Sequence, residues 1–318
     1  MLPNDLEYYP LGMMQKLAIL SDHFAIGWAG NAKTAQREIQ ELDRINQIEP
    51  FTRDSLEAYF KGLELRVSAR ELQLLCVIKK SQDIIFSTFG GKIFTHPNYG
   101  YIGMLGSGMN YLQKYLDKQI HLLSADHGLN PAQFGILFAL RTSGDLLSRE
   151  FITQSTLEQF FGAGYEVIAP TSQKFQKIDH VTYLLWLVRP KTTECILMRA
   201  YKYWYVDDVL WIRTARLQPN SETRIRPEPY SVLPIHRPIH DRDYVVPPSS
   251  SFNSPWLCSY FFVAHPETDR LHVFPDPAHY DTGEPHITLH EHDGRLTFEL
   301  DEDQVKAFIQ DAYRHLLN

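Results

Sequence analysis

The stretch QKLAILSDHFAIGWAGN, residues 15–31, decides the first part of the fold. Its apolar residues form two short runs between Leu17 and Ala29, and the pair Ser21-Asp22 between the runs is typical of a turn. In the residues that follow, 31–47, apolar side chains recur near helical spacing with charged residues between them. The sequence therefore predicts two short strands joined by a turn, followed by an amphipathic helix.

Working outward from this stretch, helices and strands continue to alternate as far as about residue 218. Asp54 is a suitable N-cap for a second helix, and Gly90-Gly91 is typical of a hairpin turn between strands 84–89 and 92–95. Further strands are predicted at 72–78, 101–105, 165–169, 180–187 and 209–212, with one helix after the turn 106–108 and another after Pro131. Helices that come in pairs, rather than one per strand, favour antiparallel sheets between helical layers over a doubly wound parallel sheet.

Proline divides the chain. Eight of its 19 prolines lie between Pro219 and Pro255, a window that cannot form continuous helix or central strand. Beyond it, the sequence predicts a strand at 260–263, a hairpin turned at Asp293-Gly294 and a final helix capped by Asp301. The predicted organisation is a domain at 1–218, a proline-rich connector at 219–254 and a small α+β module at 255–318.

Composition and charge exclude several classes of protein. The formal net charge of −7 argues against a broad nucleic-acid or anionic-membrane surface, because neutralising phosphates requires an excess of basic residues. The three cysteines lie far apart, which disfavours a disulfide framework or a structural zinc site and favours a reducing cytoplasm. We find neither an apolar run long enough to span a bilayer nor the pattern of a secretory signal.

Four segments in order carry a resemblance to a known family. They are residues 15–31, the strand pair around Gly90-Gly91, the stretch Tyr101–Gly108 that contains Gly-Ser-Gly, and the glycine turn 162–168. Over about residues 11–190 the chain resembles the proteasome β-subunit superfamily, which includes the bacterial ATP-dependent two-component peptidase. The resemblance implies the fold of N-terminal-nucleophile hydrolases, an αββα sandwich, with the small C-terminal α+β module added.

The resemblance also implies a chemistry. In this family an N-terminal Thr, Ser or Cys attacks the amide, its own α-amine acts as the base, and a nearby lysine lowers the pKa of the nucleophile. Lys16 matches that lysine, and Ser107 matches the serine that supports the amine. Only 15 residues precede Lys16, and they include no Thr, Ser or Cys. We therefore expect a sandwich that is incomplete at its N-terminus and a chain without threonine-peptidase activity.

Three functions remain open at this point. The chain is a threonine-peptidase-like amide hydrolase whose given start omits the nucleophile, a catalytically inactive scaffold or protein-binding subunit, or an unrelated α+β interaction protein. A homo-oligomer is expected, with a protein or peptide as the possible substrate. Each site residue also has a structural interpretation: Lys16 as a solvated charge, Ser107 as part of a turn that caps a helix, and Trp28 as a core side chain.

Histidines near the last hairpin are the one candidate metal site. His290 and His292 share a strand face, with His286 close by, and imidazoles at this spacing could bind zinc. Strand alternation favours another arrangement, in which Ile287 and Leu289 face the core and the histidines face solvent. We expect neither a metal nor a cofactor.

Overall fold

The structure is a computed structural model. It describes residues 14–81, 83–97, 100–106, 109–118, 131–153, 165–189, 194–218, 220–226, 229–236, 247–248, 250–264, 271–275, 287–301, 303, 305–307 and 310.

The helices and strands are as follows in chain order: β1 (Leu17–Ser21), β2 (Phe24–Gly30), α1 (Ala32–Ile48), α2 (Arg53–Glu64), β3 (Leu72–Lys80), β4 (Asp83–Phe89), β5 (Lys92–His96), β6 (Gly100–Met104), α3 (Met109–Lys118), α4 (Pro131–Thr153), β7 (Ile168–Pro170), β8 (Phe175–Lys177), β9 (Val181–Arg189), β10 (Glu194–Val206), β11 (Val209–Leu217), β12 (Thr223–Ile225), β13 (Tyr230–Val232), β14 (Trp256–Ala264), β15 (Leu271–Pro275), β16 (Ile287–His292) and β17 (Arg295–Leu300).

The chain divides into two compact units, each built from several segments. The first comprises Met1–Phe138, Ser155–Ile178 and Leu233–Tyr244, and the second comprises Ala139–Gln154, Asp179–Val232 and Val245–Asn318. These units are defined by contacts in space, whereas the domain bounds 1–218, 219–254 and 255–318 rest on composition and stay a prediction.

The first unit is organised around a four-stranded antiparallel sheet in the order β1-β2-β3-β4. Alternate residues of β2 and β3 face α1 and α2, because successive side chains of a strand point to opposite faces. The predicted strand–turn–strand–helix at residues 15–47 is confirmed by β1, β2 and α1. The buried core shared by the sheet and the two helices contains Phe24, Ile26, Trp28, Ile39, Leu42, Leu56, Phe60, Leu63, Leu74, Cys76 and Ile78.

The two helices begin at side-chain caps. Asn31 accepts hydrogen bonds from the amides of Lys33 and Thr34 at the start of α1. At α2 the cap is Thr52, which forms a reciprocal capping box with Ser55, so the prediction that Asp54 is the N-cap is wrong. Asp54 lies in the first turn instead, where its charge is favourable near the helix N-terminus.

Glu38 of α1 joins the two helices through a buried polar network. Its carboxylate accepts hydrogen bonds from the Tyr59 hydroxyl at 2.8 Å, from Arg66 Nη2 at 2.7 Å and from Arg37 Nε at 2.9 Å. Burial alone would raise the pKa of Glu38, but these hydrogen bonds outweigh it and hold the pKa below its ordinary value. The carboxylate is therefore ionised and fully engaged between α1 and the end of α2.

The predicted hairpin at Gly90-Gly91 is wrong in its pairing. β4 pairs with β3, whereas β5 pairs with β6 in a separate two-stranded sheet, with Lys92 opposite Met104. The glycine pair therefore marks a change of sheet. The buried face of the β5–β6 pair packs with residues of α3 and α4, in a cluster of Met104, Leu116, Phe94, Ile102, Met109, Leu112 and Phe138.

The second unit contains a curled, mixed nine-stranded sheet that forms a half-barrel. Its order is β15-β14-β9-β10-β11-β12-β17-β16, and β13 pairs with β11 outside this path. The strands β9 and β14 are parallel, with Val181 opposite Trp256 and Val188 opposite Val263. The predicted hairpin β16–β17 is confirmed, and its turn residues Asp293 and Gly294 have φ of 46° and 71°.

The predicted fold class, an αββα sandwich with a small C-terminal α+β module, is therefore wrong. Strands predicted to complete a second layer of the first domain, such as 180–187, pair instead with β14 and β10 in the half-barrel. Strands assigned to the module, β14 and β17, bond to β9 and β12 of the same sheet. Within the described residues, no helix is long and apolar enough to span a membrane.

Candidate functional site

Lys16 lies immediately before β1, the strand that the family resemblance singles out. β1 pairs with β2 so that Ala18 lies opposite Ile26, and the Trp28 amide donates to the Lys16 carbonyl at 3.0 Å. The Lys16 amide donates in turn to Glu166 Oε2 at 3.2 Å. The backbone at Lys16 is thus fixed from both sides.

The ammonium of Lys16 rests on an aromatic ring. Its Nζ lies 3.3 Å from the centroid of Trp28, an indole that is only 3% exposed. Lys16 as a whole residue is exposed, yet partial burial of its ammonium lowers the pKa of Lys16. Contacts of this kind stabilise by about 0.5–2 kcal/mol, depending on how far the cation is desolvated.

Gln15 completes the surroundings of the indole. Trp28 Nε1 donates to the Gln15 carbonyl at 2.9 Å, and the Gln15 amide donates to the Leu233 carbonyl at 2.8 Å. The buried Gln15 side chain accepts from Lys177 Nζ at 2.5 Å. Gln15 and Lys16 together therefore enclose Trp28 with one hydrogen bond and one cation–π contact.

Ser107 lies outside the described residues, but the adjacent residue Gly106 is described. The Gly106 amide donates to Gln73 Oε1 at 2.6 Å, and a methyl group on Gly106 would lie 3.2 Å from Ala29 Cβ. Gly106 thus lies against the face of β2 to which Ala29 points. Trp28, the residue before Ala29, belongs to the helix-facing core and carries the Lys16 ammonium on the opposite face.

Because Ser107 is outside the described residues, the relation between Lys16 and Ser107 stays a prediction. Among the described residues, no hydroxyl or thiol forms a hydrogen bond with Lys16 Nζ. The catalytic roles of Lys16 and Ser107 stay predictions.

A second cluster, in the half-barrel, was not predicted. Lys202 of β10 lies between Thr182 of β9 and Arg213 of β11, directly opposite each in the strand register. Lys202 is fully buried and Arg213 is 9% exposed. Like charges directly opposite each other on neighbouring strands repel, so two buried cations at this position require compensation.

Glu291 of β16 supplies part of that compensation. Its Oε2 accepts from Arg213 Nη1 at 2.8 Å, and its Oε1 accepts from the Phe252 amide at 2.6 Å. Lys202 Nζ donates to the Asn253 carbonyl at 3.4 Å, which is long for a hydrogen bond. Arg213 Nε is buried and has no hydrogen-bond partner among the described residues.

Residues 250–254, which we call the covering segment, lie over this cluster. Thr182 Oγ1 donates to the Phe252 carbonyl at 2.6 Å, and Arg213 Nη1 donates to the Ser250 carbonyl at 3.1 Å. The Asn253 side chain exchanges two hydrogen bonds with the backbone of Leu289, at 2.8 and 3.2 Å. The cluster thus holds the covering segment on the sheet.

The environment of Lys202 disfavours its charge. Burial lowers the pKa of Lys202 to about 8, although Asp179 and Glu291 act in the opposite direction. A lysine inside a strand whose neighbours are aromatic, Tyr201-Lys202-Tyr203-Trp204, was the available sequence signal. The sequence analysis predicts no strand between residues 187 and 209, so this signal alone does not indicate that Lys202 is buried.

The candidate zinc site is not formed. His290 and His292 are exposed while Ile287 and Leu289 are buried, as strand alternation predicts. Within the described part of the chain, no group of histidine, cysteine and carboxylate side chains could hold a metal ion. His286 lies outside the described residues. None of the three cysteines, all of which lie in the described part of the chain, forms a disulfide.

No protein-family model, no curated protein and no solved structure matches the chain.

Proposed function

We propose that the chain is a non-catalytic binding protein related to the N-terminal-nucleophile hydrolases. The observation that carries this proposal is the position of the Lys16 ammonium, 3.3 Å from the Trp28 ring centroid. A lysine lowers the pKa of a nucleophile only when the two groups lie within about 4–6 Å of each other. An ammonium on an indole ring, across β2 from Gly106, stabilises the start of β1 instead.

The family relation in this proposal rests on the sequence resemblance. It is supported by the order of elements in the first unit, where the Lys16-bearing strand pair leads into two helices and two further antiparallel strands. The proposed role is that of a scaffold or protein-binding subunit.

Turnover of short fluorogenic peptides tests the proposal. We expect the full chain, Lys16→Ala and Ser107→Ala to release no fluorophore above the buffer rate. Lys33→Ala is a matched control, because Lys33 is an exposed lysine in the first turn of α1. Turnover that is lost in Lys16→Ala and retained in Lys33→Ala would contradict a non-catalytic role.

Self-association in the cytoplasm belongs to the same proposal. Tyr101 and Ile93, on the same face of the β5–β6 pair, are 72% and 38% exposed, and aromatic side chains are enriched in protein interfaces. Cys76 and Cys258 are buried and form no disulfide within the described residues, as is usual in a reducing compartment. Light scattering that shows a monomer at every concentration would contradict the oligomer.

A further inference from the structure

The cluster formed by Lys202, Arg213 and Glu291, which we call the Lys202 cluster, has more buried positive charge than the described residues neutralise. Lys202 and Arg213 are two cations on adjacent strands, and among the described residues Glu291 is the one carboxylate hydrogen-bonded to either of them. Asp179 also acts on Lys202, but its side chain is 41% exposed and accepts hydrogen bonds from the backbone amides of His180 and Tyr205. An uncompensated charge in a protein interior is costly, so such groups are normally paired.

The unused donors of the cluster belong to the two cations. An ammonium can donate three hydrogen bonds, and Lys202 Nζ makes one long contact, to a backbone carbonyl. Arg213 donates through Nη1 to Ser250 and Glu291, while its buried Nε has no partner within the described residues. Within the described residues, the cluster therefore lacks a second acceptor with negative charge beside Glu291.

We propose that Lys202 and Arg213 form a binding site for one small oxyanion, bound through carboxylate or phosphate oxygen atoms beneath the covering segment, residues 250–254. Such an anion balances the second cation and accepts the unused hydrogen bonds. Charge-assisted hydrogen bonds of this kind are about twice as strong as neutral ones. The covering segment is held by side chains of the same cluster, so entry of the anion requires this segment to move. This site lies in the second unit and does not depend on the proposed role of Lys16.

Calorimetric titration of the full chain in a zwitterionic buffer tests the site. Sodium phosphate and sodium acetate are the two probes, and the comparison between them distinguishes a phosphate-bearing ligand from a carboxylate-bearing one. We expect saturable binding of at least one probe with one site per chain.

Three variants separate binding by the cluster from binding elsewhere. Lys202→Met should weaken the affinity at least about tenfold, the loss expected for one charge-assisted hydrogen bond. Glu291→Gln should strengthen it, because the competing carboxylate is removed. Lys80→Met, at an exposed lysine of β3, should leave it unchanged.

Two results would overturn the proposal. One is the lack of saturable binding of both probes to the wild-type chain. The other is wild-type affinity in Lys202→Met. Circular dichroism shows whether Lys202→Met is folded. If this variant is unfolded, Glu291→Gln is the deciding variant, and a Glu291→Gln affinity for the anion equal to or below that of the wild type refutes the site.

Discussion

At the scale of single residues, the buried lysine of β10 has the clearest energetic consequence. Lys202 has no exposed surface, and burial lowers its pKa to about 8 from the ordinary value of 10.5. Between these two pH values the unfolded chain binds more protons than the folded chain, so the stability of the fold rises with pH across this window. Below pH 8 the charged Lys202 destabilises the fold by up to about 3 kcal/mol.

Replacement of Lys202 by methionine should therefore stabilise the protein in an anion-free buffer. Methionine fills a similar volume without a charge, so the gain in the free energy of unfolding should be about 2–3 kcal/mol at pH 7 and about 1 kcal/mol at pH 10. Urea denaturation of both proteins at the two pH values measures this difference. A gain that is the same at both pH values would show that Lys202 is not the titrating group.

Individual site residues were only partly accessible to sequence reasoning. The apolar alternation around Lys16 placed it correctly at the start of β1, because that pattern is local. Alternation cannot tell which aromatic ring lies beneath an ammonium, so the contact with Trp28 was not predictable. Lys202 lies opposite Arg213 only because of the register between β10 and β11. Local sequence patterns do not predict the register between two strands.

At the scale of elements, Glu38 joins α1 and α2. Helix α1 also carries an exposed ion pair, Glu41 with Arg44, which serves as a comparison. Glu38 is buried and bonded to Arg66, whereas Glu41 pairs with Arg44 at the surface, where side-chain exposures are 39% and 62%. Removal of the buried carboxylate leaves the hydroxyl of Tyr59 and the guanidinium of Arg66 without their acceptor.

Alanine substitutions at Glu38 and Glu41 should lower the free energy of unfolding by different amounts. Glu38→Ala should lower the free energy of unfolding by about 2–3 kcal/mol, because it leaves partly buried hydrogen-bond donors without an acceptor. Glu41→Ala should cost about 0.5 kcal/mol or less, as is usual for exposed pairs within a helix. Urea midpoints at pH 7 measure both costs, and equal effects would contradict the structural role assigned to Glu38.

Helix α4 packs on β14 through a glycine. A methyl group on Gly144 would overlap the ring of Tyr260, whose hydroxyl donates to the Arg141 carbonyl at 3.1 Å. For Gly135, in the same helix, no atom of the described residues lies within 4 Å of the position that a methyl group would take, apart from the adjoining backbone of the helix itself.

Glycine-to-alanine substitutions therefore test the packing of α4. Gly144→Ala should destabilise the protein by about 1–3 kcal/mol, the usual range for overpacking. Gly135→Ala should stabilise it by up to about 1 kcal/mol, because alanine favours the helix. Thermal unfolding measures both effects, and a stabilising Gly144→Ala would show that α4 does not contact Tyr260 in this way.

At the scale of the whole molecule, the sequence predicts the positions of many strands but not which distant strands pair in a sheet. The hairpins β1–β2 and β16–β17 were predictable because turn residues and alternation are local signals. The parallel pairing of β9 with β14 joins residues 75 positions apart, and no local pattern indicates it. This pairing and that of β12 with β17 place strands of the predicted sandwich and of the predicted module in one half-barrel sheet.

The resemblance to N-terminal-nucleophile hydrolases, over about residues 11–190, stays a prediction. The Lys16 ammonium lies against the Trp28 ring, and we propose that Lys16 activates no nucleophile.

The most direct measurement of this claim is intact-mass spectrometry of the full chain after incubation with an electrophile directed at N-terminal nucleophiles. We predict that the mass of the chain stays unchanged and that Lys16→Ala and Ser107→Ala behave in the same way. Stoichiometric addition of one electrophile to the wild-type chain, abolished by Lys16→Ala and retained in Lys33→Ala, would contradict the account.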